Sequence, residues 1–310
     1  MSIAIPSVAR VANGAAPRRR PYGRRALAGY GFITPAIVFL IGFALLPFLF
    51  TVYVSLHDWN MLTAVTSMPF RGLDNYRYLI FEDPLFRQTF ANTFVFAAGN
   101  VAISSLLALG VALLLNGEVR FPTFWRAVYF LPYVTSSVAI SIVWANLYHP
   151  SYGLFNGILE LFQLSGSRFL ASLETAMPSV IAVAVWHAVG YYMIIFLAGL
   201  QSIPLEVYEA AKVDGANAWH RFRSITLPLL RPTLLFVAVV NTLGSLQVFD
   251  LAFVLTNGGP VNATNTVVLY MYQTAFNFTR MGRASAMAVM LFLVILVITL
   301  VQLRLLREKE

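Results

Sequence analysis

The chain has no cysteine among its 310 residues, which excludes disulfides, thiolate nucleophiles and cysteine-ligated zinc. Lysine is nearly absent as well: Lys212 and Lys309 are the two, and neither follows a glycine. The Gly-Lys-Ser/Thr core of a phosphate-binding P-loop is therefore missing, so this polypeptide has no sequence support for hydrolysing ATP itself. The four histidines, His57, His149, His187 and His220, are scattered, with no His-Glu-x-x-His spacing for a zinc protease. No Gly-x-Ser-x-Gly elbow presents a nucleophilic serine. Charge is scarce too, at 11% of residues against about 25% in an ordinary soluble domain.

What is present is apolar. Hydrophobic residues make up 59% of the chain and the mean hydropathy is +0.73. A chain of this length could bury a large core, but water would not hold such a surface in solution, and a bilayer is the fitting solvent. A membrane helix needs about 20 mostly apolar residues. Six stretches qualify, at 30–55, 90–115, 127–148, 178–201, 233–255 and 284–303, and none contains Lys or Arg. Pro35, Pro47, Gly110, Pro132, Gly190 and Gly244 fall inside them, as membrane helices tolerate. The expected fold is all-α, a polytopic membrane protein with six transmembrane helices. Neither a soluble domain nor a repeat at periods of 20–50 residues is apparent.

The basic residues divide unevenly between the two sides: fifteen in the N-terminal tail, the second and fourth connections and the C-terminal tail, six in the remaining connections. The positive-inside rule then places both termini in the cytoplasm. The first apolar run is too long for a signal-peptide core and no small-residue cleavage site follows it. It reads as an uncleaved first span after a disordered cytoplasmic tail at 1–29, with a second cytoplasmic tail at 304–310. Arg18, Arg19, Arg20, Arg24 and Arg25 read as an orientation signal and a lipid-headgroup contact rather than as a nucleic-acid surface, despite the net charge of +8. Trp125, Tyr129 and Tyr148 read as interfacial belt residues.

Between the fourth and fifth spans lies a polar island at 204–232. Pro204 suits a first helical turn, and Leu205, Tyr208, Ala211 and Lys212 recur at helical spacing. Glu206 and Glu209 suit the early turns, and Gly215 suits a left-handed helix end. A second short helix is expected through 219–222 before Pro228 and Pro232 break it. Two readings stand on the residues alone: a helix–turn–helix with Ala210 and Ala211 as a small-residue docking face, or an amphipathic loop resting on lipid headgroups.

Glu209-Ala210-Ala211, Asp214-Gly215-Ala216, Ile225, Leu227 and Pro228 resemble, at matching spacing, the EAA loop of ABC importer permeases. Phe70-Arg71-Gly72-Leu73-Asp74-Asn75-Tyr76 with Asn92-Thr93 resembles the first outer loop of sugar-type permeases. Thr256-Asn257-Gly258-Gly259-Pro260 resembles a loop of the maltose and glycerol-phosphate permease branch. The resemblance runs from about Arg24 to the C-terminus. It implies the ABC importer permease fold in a bacterial plasma (inner) membrane. It also implies a heterodimer with a second permease, two cytoplasmic ATP-binding subunits that hold ATP and Mg, and an external or periplasmic solute-binding protein. This chain itself would bind no cofactor or metal. Glu209, Ala210, Ala211, Asp214, Gly215, Ile225, Leu227 and Pro228 would form the coupling loop seated on the ATPase.

Polar residues inside membrane spans usually face a bundle interior or a water-filled path. Asn241, Thr242, Ser245, Gln247 and Asp250 enrich the fifth span; Trp186, His187, Tyr191 and Tyr192 enrich the fourth. Planar polar groups with aromatic faces suit a sugar. The resemblance to maltose-type permeases implies sugar contacts at His187, Tyr191, Asn241, Gly244, Ser245 and Val248. Most of these differ in residue type from that pattern, which implies a different sugar. Read from the residues alone, Asn241 and Ser245 could instead bond a neighbouring helix, His187 could be a packing histidine, and Asp250 could contact substrate or pair with an outer-loop arginine. A secondary transporter is the rival in another class, but Asp250 is the one acidic residue in the expected spans and no inverted repeat is visible. An ABC permease for a non-sugar substrate is the rival within the superfamily, disfavoured by the Gly-Gly-Pro loop.

Overall fold

The computed structural model describes residues 22–306, and the regular elements among them are helical. Most of the tail expected at 1–29 and the last part of that expected at 304–310 lie outside the described residues. The described ends, from Tyr22 and up to Leu306, belong to helices instead. Two units divide between Phe50 and Thr51. The first holds α1 (Tyr22–Leu40), a π-helical turn at Ile41–Leu45 and the start of α2 (Leu46–Ser55). Phe32, Phe39 and Phe43 are exposed there, as suits side chains solvated by lipid.

The second unit takes the rest of α2 and continues with α3 (Asp74–Arg77) and α4 (Pro84–Leu115). The start of α4 is written in two residues. The Asp83 carboxylate accepts from the Leu85 and Phe86 amides at 2.9 and 3.0 Å, and Pro84 fills a position whose missing N–H costs nothing. Four helices are long and apolar enough to cross a bilayer: Tyr30–Ser55, Pro84–Leu115, Ala176–Gln201 and Met281–Leu305. Counting each of two bent pairs as one span brings the number to as many as six among the described residues. The third expected span is α5 (Pro122–Val134) and α6 (Ser137–Leu147), meeting at 94°. The connection after it contains α7 (Leu154–Leu161) and leads to α8 (Ala176–Gln201). The expected island supplies α9 (Leu205–Val213), α10 (Ala218–Arg221) and α11 (Leu227–Leu229), which turns by 66° into α12 (Arg231–Leu246). The expected fifth span is interrupted at 247–249 and resumes as α13 (Asp250–Thr256). Then α14 (Val267–Tyr272) lies in the last connection and α15 (Met281–Leu306) closes the chain.

Packing centres on α4 against α8, with α5 lying on α8 and α12 on α4 and α15. Lipid tails are as apolar as leucine, so close van der Waals fit, not exclusion of water, holds such helices. Gly190 shows the principle. A Cβ there would collide with the Tyr129 carbonyl, so glycine is what lets α5 lie against α8. Leu115, Met193, Phe196, Leu230 and Val237 fill the seam between α4, α8 and α12 at the island end.

The strings of the opposite end meet in space. Asn92 donates to the carbonyls of Asn262 and Asn265 at 2.8 and 3.0 Å, and the Val267 amide donates to Thr93 at 2.9 Å. Asn75 donates to the carbonyls of Ser55 and His57. The Tyr270 hydroxyl donates to Asp83 at 2.7 Å. Burial, then that carboxylate, pushes the Tyr270 phenol up, which keeps it protonated as the donor. The Gly-Gly-Pro loop and Asn92-Thr93 are thus two halves of one scaffold.

Candidate functional site

The island is built by local capping chemistry. Glu206 lies in the first turn of α9 and Lys212 in the last, both favourable to the helix dipole. At the C-terminus the Ala216 amide donates to Ala211 O and the Gly215 amide to Lys212 O, the paired bonds of a Schellman end. Gly215 adopts φ +78°, which a side chain would resist. The Asn217 side-chain Oδ1 then caps α10 by accepting from the His220 amide at 2.8 Å. Arg221 donates to Ala216 O at 2.7 Å, and the Tyr208 and Thr226 hydroxyls meet at 3.0 Å, tying the two short helices together.

Pro228 does not break the backbone as expected. A π-helical turn at Phe222–Thr226 precedes it, and α11 carries the proline in its first turn. The wider turn accommodates the ring that an α-helical interior would reject. The chain bends instead at Leu230, where α12 opens with Pro232 in its first turn.

The eight expected loop residues divide by exposure. Glu209, Ala210, Asp214 and Gly215 are exposed, with Ile225, Leu227 and Pro228 half-buried. Ala211 is buried. It lines a concavity of about 500 Å3 together with Asp214, Asn217, His220 and Ser224. Ala210 therefore presents the small outward face, and Ala211 lets the island close on itself. Val213 and Trp219 are exposed apolar groups beside it, at 88% and 67%.

In the spans, Asn241 and Ser245 face α4 and are buried. Asn241 donates to Ser104 at 2.8 Å and Ser105 at 3.1 Å, and Asn100 donates to Ser245 at 2.9 Å. Thr242 accepts from Gln302 of α15 at 2.8 Å. This polar clasp ties the fifth span to the second and sixth. Gly244, Gln247 and Asp250 are exposed and Val248 is half-buried, so the fifth span presents a different face to open space. Among the described residues Asp250 pairs with no arginine; its Oδ2 accepts from Ser137 at 2.7 Å.

His187 and Tyr191 of α8 are brought together with Tyr133 of α5. The Tyr133 and Tyr191 rings stack at 4.4 Å and 13°, with the His187 ring 5.7 Å from Tyr133. A His187 ring nitrogen lies 3.5 Å from the Thr135 carbonyl, at the break between α5 and α6. Such an aromatic ledge suits the C–H face of a sugar ring. Asn100, Ser104 and Tyr133 were outside the sequence expectations. The Asn100-x3-Ser104 spacing inside an apolar run was the signal for the first two; Tyr133 gave none, because its span reads as continuous.

Among the described residues no cluster of His, Cys, Asp and Glu could hold a metal. Residues 104–309 match the sequence pattern of the binding-protein-dependent transport system inner membrane component. The chain is 34% identical to the trehalose/maltose transport system permease protein MalF of Thermococcus litoralis, over 91% of this chain and 94% of that one. It is 34% identical to the lactose transport system permease protein LacF of Rhizobium radiobacter, over 91% and 95% respectively. In three dimensions it is similar to a chain in the crystal structure of a bacterial ABC transporter involved in the import of the acidic polysaccharide alginate. That similarity has a TM-score of 0.79 and 25% identity, covering 92% of this chain and 96% of the other.

Proposed function

The chain belongs to the family of binding-protein-dependent transport system inner membrane components, and from that membership we propose that it is one permease of an ATP-driven importer for a sugar or sugar-like solute. It is a multi-pass inner-membrane protein. A second, related permease would complete the path as a heterodimer. Two cytoplasmic ATP-binding subunits would hold ATP and Mg, and an external solute-binding protein would deliver the solute. Both termini and the island face the cytoplasm in this reading.

The observation that carries the proposal is the island itself. Its helices are closed by their own caps, yet Glu209, Ala210, Val213 and Asp214 remain exposed between two membrane spans. A surface that is capped by its own helix ends, partly apolar and exposed suits a protein partner better than headgroups. Glu209, Ala210 and Asp214 would touch the ATPase; Ala211, Gly215, Ile225, Leu227 and Pro228 would hold the shape. Closure of the ATPase dimer on ATP would then move α9 to α11 as one piece and, through α12, switch the spans between inward and outward access. Tyr191, His187, Gly244 and Val248, joined by Tyr133, would line the path. Asn241 and Ser245 would support it from behind.

The test is the complex of this chain with the second permease, ATPase and binding protein encoded beside it, reconstituted in liposomes. Sugar-loaded binding protein is expected to stimulate ATP hydrolysis and drive sugar accumulation. An ATPase rate indifferent to every sugar-loaded binding protein would reject the reading.

A further inference from the structure

The third and fifth spans are each broken, and the two breaks are tied to each other. At the first, Ser136 leaves helical geometry with φ −53° and ψ 127°, and α6 begins at Ser137. At the second, Phe249 does so with φ −131° and ψ −62°, and α13 begins at Asp250. The opening residue of each far half bonds the opening residue of the other, Ser137 Oγ donating to Asp250 Oδ2 at 2.7 Å. Packing follows the same division. The near halves pack on the main bundle, α5 on α8 and α12 on α4, α15 and α8, whereas α6 packs chiefly on α13. Ile140 of α6 and Leu251 and Leu255 of α13 share one buried cluster, resting on Val180 and Val183 of α8. Orphan carbonyls at the breaks are met from outside: Val248 O accepts from the Thr266 hydroxyl at 3.1 Å, and Thr135 O faces His187.

We infer that Asp250 and Ser137 are a positioning pair that pins α6 to α13, so that the far halves of the third and fifth spans travel as one body. The inference rests on the transport reading above. Its new content is the role of Asp250: it serves the rate of the conformational cycle and does not bind the solute. The bond suits that task. It joins the two helices at their hinges, and a carboxylate acceptor makes it stronger than a bond between neutral groups.

The experiment uses the complete reconstituted complex, with sugar uptake by the wild type as the control that tests the transport reading separately. Asp250→Ala should lower the maximal uptake rate by about tenfold and shift the half-saturating concentration of loaded binding protein by less than about twofold. Asp250→Asn, which keeps an acceptor oxygen, should restore most of the rate. Because the chain has no native cysteine, the double substitution Ser137→Cys with Asp250→Cys gives a clean second test that does not depend on a destabilised variant. The reduced pair lacks the carboxylate bond and should be slow like Asp250→Ala, and oxidising it, which ties the two halves together again, should raise uptake severalfold toward the wild-type rate. If the wild type transports and the oxidised pair is blocked, the two halves separate during the cycle and the inference fails. It fails equally if Asp250→Ala alters sugar preference at unchanged maximal rate, for Asp250 is then a solute contact.

Discussion

Asn241 and Gly244 are three residues apart in α12 and do opposite things. Asn241 spends its amide on Ser104 and Ser105 inside the bundle, where an unmet polar group has no water to turn to. Asn241→Leu would remove the donor to both hydroxyls and the oxygen that accepts from the Asn100 amide and the Ser245 hydroxyl. Interhelical polar bonds in membranes average about 0.6 kcal/mol, so the loss should be about 1–2 kcal/mol. It should appear as a lower thermal midpoint of the purified complex, restored in part by Asn241→Gln. Gly244 is exposed, and a Cβ there would meet nothing within 4 Å. Gly244→Leu should keep the thermal midpoint and cut sugar uptake on the order of tenfold, by filling the path. If the two variants exchange these phenotypes, the assignment of faces on α12 is reversed.

At the scale of elements, the island separates shape from contact. Gly215 stands at φ +78° with open space where a Cβ would go, so Gly215→Ala costs only the left-handed strain, about 1–2 kcal/mol. Gly215→Pro also removes the amide that bonds Lys212 O, and its ring forbids the positive φ. Uptake should fall in the order alanine, then proline, with membrane insertion unchanged, as read by membrane yield and transport in the same preparation. Glu209→Lys should uncouple ATP hydrolysis from uptake without unfolding the exposed helix; normal uptake would remove Glu209 from the contact. Much of this element was legible. Gly215, Glu206 and Lys212 obey local rules that act within one turn, so α9 ends where the residues say. The π turn before Pro228 was not legible, because it solves a steric problem that the sequence states without its answer. The breaks at Ser136 and Phe249 were equally hidden. Neither has glycine at the joint, and hydropathy runs through both. Their carbonyls are satisfied by His187 and Thr266, which are remote in sequence.

For the whole molecule, the question is which end of the bundle meets the cytoplasm. The island, the second connection and the two tails contribute fifteen of the twenty-one basic residues. Basic residues resist translocation, and connections this short are the ones in which the bias sets orientation. The absence of cysteine makes the test direct, since any introduced thiol is the sole one. Ser224 is exposed in the island, and Thr279 is exposed in the last connection, at the other end of the bundle. Ser224→Cys should react with a membrane-impermeant maleimide only in inverted vesicles, and be shielded when the ATP-binding subunits are present. Thr279→Cys should react in right-side-out cells or spheroplasts. Both positions are polar, exposed and outside the spans, so neither substitution should disturb insertion. The reverse pattern would put the island outside, beyond reach of ATP. The coupling proposal would then fall with the orientation, since no engine on that side could grip α9.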